Sequence, residues 1–221
     1  MKKTFVSLLM ILSFLPALAA GDGYDKLWKK VDEAVKKDLP KTQISLLKQI
    51  SAKAEAGRDY GQMLKAEWQA MRAWWTISPD SLLPQISRME RRSAAYEQTD
   101  PALAAVCYAA LGKTCEQAGW RDAEMKAMAA AYCDKAMADP AALAAVKAKN
   151  YEPFIIAGRD AAIFDGDLLS LIGYTVGAYK EMHDYYATTP NRAATLLTAL
   201  DMVKEQARES GDARVRKMEG S

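Results

Sequence analysis

Apolar residues along this chain recur every three or four positions, and no run alternates at period two. That spacing predicts an all-α protein. Tyr24, Leu27, Trp28, Val31 and Val35 form a first stripe that ends near Asp38 and Pro40. Ile44, Leu47, Ile50 and Ala54 form a second, with Gly57 placed to take the left-handed conformation that closes a helix. A third helix presents Tyr60, Met63, Leu64, Trp68, Met71 and Trp75, and Trp74 widens its apolar face. A helix this aromatic is expected near the centre of the fold. Trp28, Trp68 and Trp75 fall on the stripes and are read as core.

Ser78-Pro79, Asp100-Pro101 and Asp139-Pro140 each place a capping side chain before a proline, which predicts a helix start. Helices of about 15 to 20 residues joined by short links follow, the length pattern of antiparallel helix pairs. They span 82–97, 102–118 and 122–137, and residues 150–166, with Pro153, Gly158 and Gly166, break the pattern. A helical pair over 168–177 and 178–188 comes next, and Thr189-Pro190-Asn191 starts a last long helix with the stripe Leu196, Leu197, Leu200 and Val203. The spacing of Ile172, Gly173, Gly177, Tyr179 and Tyr185, then Asn191 and Ala194, is similar to a tetratricopeptide (TPR) repeat, in which small residues let two helices approach and aromatics fill the gap. The expected architecture is a TPR-like array of antiparallel helix pairs in one domain over 21–207, with a polar tail from 208 to 221.

Charge and targeting narrow the setting. Lys2 and Lys3, an apolar run over 5–15 and the small residues Ala17, Ala19 and Ala20 read as a signal peptide over 1–20. The run is shorter than the roughly 20 residues a membrane span needs, so no stable membrane insertion is expected. Removing the two lysines reduces 30 basic residues to 28, against 28 acidic ones. A mature chain near neutrality, with its signs interspersed, argues against nucleic acid as a partner. The reading is an exported, soluble protein of the periplasm or cell surface.

Two stretches carry a family resemblance: IFDGDLLSLIGYTVGAYKEMHDYYATTPNRAATLLTAL at 163–200 and YDKLWKKVDEAVKKDLPKTQISLLKQISAKAEAGRDYGQMLKAEWQAM at 24–71. They resemble the helical N-terminal region of bacterial alpha-2-macroglobulin proteins of the Bacteroides type. The resemblance implies a non-catalytic scaffold, truncated before the macroglobulin and thioester domains, from a family that traps proteases as an endopeptidase inhibitor. It implies a protein partner, either the downstream macroglobulin domains or another periplasmic protein. The alternative is a free-standing periplasmic TPR-like adaptor that binds a peptide or protein.

Candidate chemistry is sparse, and no catalytic, cofactor or metal residue is expected. Family thioesters join a cysteine to a glutamine three residues on; here Gln117 follows Cys115 by two. His183 is the single histidine and lies beside Tyr185 and Tyr186, which suits a structural role; Asp184, adjacent on a helix, points elsewhere. Asp165-Gly166-Asp167 opens like a calcium loop, but Leu168, Leu169, Leu171 and Ile172 stand where ligands belong, so it reads as a turn whose Asp167 caps a helix. Of three cysteines at least one stays unpaired. Cys107 and Cys115 sit about 12 Å apart along one helix, too far for a bridge; Cys133 can reach one of them across a hairpin, and burial as small apolar side chains is the favoured fate. Trp74 and Trp120 remain as the candidate partner-facing surface.

Overall fold

The computed structural model describes residues 22–119, 122–156, 158 and 160–219, and these are helical with no sheet; one antiparallel bridge pairs Lys147 with Asp167. Ten α-helices follow in order: α1 (Asp22–Lys36), α2 (Pro40–Ala56), α3 (Tyr60–Ile77), α4 (Leu82–Tyr96), α5 (Pro101–Ala118), α6 (Ala123–Ala136), α7 (Pro140–Ala144), α8 (Leu168–Val176), α9 (Tyr179–Tyr186) and α10 (Arg192–Glu219). No described helix is long and apolar enough to cross a membrane. The expected signal peptide lies outside the described residues.

The starts follow from local chemistry. Asp59, Asp100, Asp122, Asp139 and Asp167 each accept a hydrogen bond from a backbone N–H two or three residues on, satisfying donors that a helix leaves open. Asn191 does the same for Ala194 at 3.1 Å. Ser78 does not: its side chain caps nothing, and Pro79–Ser81 forms a 3-10 turn before α4 begins. Asp139-Pro140 starts only the five-residue α7, because 3-10 turns at Ala148–Tyr151 and Ala161–Phe164 occupy the segment that follows. Gly57 is right-handed at φ −88°, and Arg58 takes the left-handed turn at φ 54° instead.

Neighbouring helices pack most extensively as α2 on α3 and α5 on α6, with α1 on α2, α4 on α5 and α9 on α10. A Cβ at Gly112 would meet Ala129 and Cys133, while one at Gly119 would meet Met125, so α5 and α6 run in opposite directions along this contact. α5 is the central element, buried at every position from Ala102 to Ala109. That is why its apolar pattern is not a stripe. The core runs from Val31, Leu47 and Ile50 through Leu64, Leu103 and Leu111 to Leu169 and Met182.

Two expected stripes are corrected. Val35 is 54% exposed, since α1 ends one residue later with nothing packed over it. On α10, Leu196, Leu200 and Val203 are 72%, 51% and 62% exposed. The eight-residue α9 covers the face carrying Ala194 and Thr198; of the expected stripe Leu197 is half-buried against the core, while Leu196, Leu200 and Val203 stay uncovered. α10 also continues as helix to Glu219, through the segment read as a polar tail.

Candidate functional site

Trp74 sits near the C-terminal end of α3, half-buried, on the wall of a cavity of about 350 Å³ between α2, α3 and α4. Trp120, its expected companion, lies outside the described residues. Trp68 and Trp75 point elsewhere on α3. They are half-buried rather than enclosed and line a second groove with Phe154, against which Trp68 packs at 5.3 Å between ring centroids. Trp68 Nε1 donates to Thr114 Oγ1 at 3.1 Å, and Trp28 Nε1 donates to Gln62 Oε1 at 2.7 Å, so both indoles leave the core interior to satisfy their N–H groups.

The floor of the Trp74 cavity is polar. Glu67, only 5% exposed, takes Ser51 Oγ–H on Oε1 at 2.8 Å and an N–H of Arg92 on the same oxygen. Arg92 reaches outward as well: Nη2 meets Glu55 Oε1 at 2.7 Å, and Nε donates to Tyr96 Oη at 3.0 Å. Burial opposes the Arg92 charge, yet Glu67 and its other partners outweigh this and hold the guanidinium above its ordinary acidity range. Burial likewise pushes the Tyr96 hydroxyl up. One charged side chain from α4 thus ties α2 to α3. The backbones of α3 and α4 themselves meet little.

Glu67 Oε2, by contrast, is buried with no hydrogen-bond partner among the described residues. A carboxylate oxygen left this way is an acceptor awaiting a donor, and its desolvation costs about 1 to 3 kcal/mol until one arrives. At the rim, Lys48 carries no ion pair among the described residues, and Arg88 makes only a hydrogen bond to Gln85 Oε1 at 3.2 Å. The cavity therefore combines an indole face, a buried carboxylate with one unpartnered oxygen and two cations that make no ion pair among the described residues. A second cavity, of about 320 Å³ beside Phe164 and Tyr174, is different in kind. Its polar groups are already engaged: the buried Asp167 with Tyr186 and the α8 backbone, the half-buried Tyr174 with Asp201.

The remaining candidates take structural positions. His183 Nδ1 lies 3.3 Å from Thr198 Oγ1, and Asp184 pairs with Lys180. Asp165 and Gly166 form a left-handed turn, and Asp167 caps α8 as expected. Cys115 is buried while Gln117 is exposed. No group of three or more His, Cys, Asp or Glu among the described residues could hold a metal ion. The Glu67–Arg92 pair escaped sequence reasoning because its members stand 25 residues apart. The one local signal was Glu67 itself, an acid between Ala66 and Trp68 on an apolar helix.

No family model, no curated protein and no solved structure matches this chain.

Proposed function

We propose that this chain is a non-catalytic helical scaffold that docks a protein partner through the cavity between α2, α3 and α4. The observation that carries this reading is Glu67 Oε2, a buried acceptor without a partner, beside the half-exposed Trp74 face. A peptide segment supplies what such a cavity lacks: a donor for Oε2, an apolar group for the indole and acidic groups for Lys48 and Arg88. In this reading the helix pairs form a TPR-like array, and the protein is an exported adaptor.

A second reading rests on α10. Its exposed Leu196, Leu200 and Val203 lie three and four residues apart, so they form one apolar seam along the helix. A seam of that kind is suited to packing on a further domain, which fits the resemblance to the helical module of an alpha-2-macroglobulin protein and the inhibitor role of that family.

Probing an immobilised peptide array with the wild-type chain and with Trp74→Ala tests the docking reading. Peptides bound by wild type and lost by the variant support it. An array without signal, or one whose pattern survives the substitution, counts against the cavity.

A further inference from the structure

Three thiols are unpaired in this structure, and they occupy unequal positions. Cys133 is half-buried on α6, where its Sγ lies against Gly112 of α5; a Cβ built at Gly112 would fall 2.8 Å from that sulfur. The missing side chain makes the room in which the thiol sits.

Cys115 lies three residues beyond Gly112, about 4.5 Å along the axis and about 60° around it, on the same side of α5. Side chains lean toward the N-terminus of their own helix. Because α5 and α6 run in opposite directions here, Cys115 leans back toward the level of Gly112, and Cys133 leans toward the level of Cys115. The two side chains therefore lean toward each other. Their proximity is also felt electrostatically: burial, and after it the Cys133 thiol, push Cys115 up to about 11.

Cys107 is turned away. It precedes Gly112 by five residues, which rotates it about 140° around α5. Its thiol is buried among Ser93 and Arg92 of α4 and Glu67 of α3, on the side opposite α6.

We propose that Cys115 and Cys133 are a disulfide site, closed by exchange with an external disulfide, which ties α5 to α6 while Cys107 stays a thiol. The half-exposed Cys133 loses its proton to solvent, and its thiolate attacks the external disulfide; one thiolate of the oxidant leaves and a mixed disulfide forms. Cys115 then gives up its proton and attacks Cys133 Sγ, expelling the second thiolate. Two protein thiols are oxidised to one disulfide and the oxidant is reduced to two thiols. The bridge closes a short loop through the turn between α5 and α6, and so restricts the unfolded chain more than the folded one.

The test is incubation of the reduced, folded protein with oxidised glutathione, followed by intact mass and non-reducing peptide mapping. The expected result is a loss of about 2 Da, the two thiol hydrogens, with the Cys115 and Cys133 peptides linked. Cys107→Ser should retain the link and Cys133→Ser should lose it, and the oxidised wild type should melt several degrees above the reduced form. Four results would overturn the proposal: an unchanged mass, a glutathione adduct that persists on Cys133, a bridge to Cys107, or a bridge that forms only in denaturant.

Discussion

Tyr186 donates its buried hydroxyl to Asp167 Oδ2 at 2.7 Å, while Asp167 Oδ1 takes the backbone N–H of Ser170 at 2.9 Å. One carboxylate therefore caps α8 and anchors α9. Lys147 pairs with the same residue through the backbone, so the irregular segment after α7 is fastened there too. The hydroxyl of Tyr186 is pushed well above its usual range by burial, then by the bond to Asp167.

Replacing Asp167 by alanine should cost about 2 to 4 kcal/mol, the sum of a lost cap and a buried hydroxyl left without its acceptor. Asp167→Asn should cost less, because an amide oxygen can still accept from Ser170. Urea unfolding of both variants checks the order, and equal costs would show that the charge, not the cap, matters.

Removing Arg92 leaves the buried Glu67 carboxylate without its counter-charge. Arg92→Met should therefore destabilise by about 3 to 5 kcal/mol. Glu67→Gln keeps an acceptor for Ser51 and removes the buried charge, so it should be milder, and the double variant should recover part of the Arg92→Met loss. Additive costs in this cycle would mean that the two side chains do not act as a pair.

On α10, Leu200→Ala should change stability by no more than about 0.5 kcal/mol, because half of the side chain already meets solvent. Leu169→Ala on α8, at a fully enclosed position, should cost about 2 to 5 kcal/mol. Comparable losses at both sites would show that another surface covers the α10 stripe in solution.

Burial raises the thiols of Cys107 and Cys115 from an ordinary value of 9.0 to about 12 and about 11. The folded state holds these protons more tightly than the unfolded chain. Their contribution is complete below pH 9 and should be lost as pH rises through 11 and 12. Under reducing conditions, unfolding midpoints should fall as pH rises above 9, and the buried tyrosines, raised from an ordinary value of 10.0, should add to the fall as pH approaches and passes 10. The Cys107→Ala, Cys115→Ala double variant should show a flatter profile over that range.

Methylamine should leave the intact mass unchanged. Gln117 and Cys115 point about 200° apart on one helix, one exposed and one enclosed. A mass gain mapping to Gln117 would establish a thioester that the helix geometry opposes.

Much of what depends on a few neighbouring residues was legible in the chain alone, although Ser78 caps nothing and Gly57 is not the left-handed residue. The caps at Asp100, Asp139 and Asp167, the Asn191 start and the turn at Asp165-Gly166 rest on bonds between near neighbours, and with the helical period they let the sequence by itself determine an all-α chain and many of its helix starts. Tertiary structure decided which apolar faces are covered and which polar groups meet. Leu196, Leu200 and Val203 have the spacing of a core stripe, but burial requires a surface opposite, and α9 is too short and sits on the other side. Gly57 stays right-handed and Arg58 takes the left-handed position after α2. Glu67, Ser51 and Arg92 come from three helices, and no local rule relates them; only the packing of α4 over the α2–α3 pair makes a buried charge with one open oxygen beside Trp74.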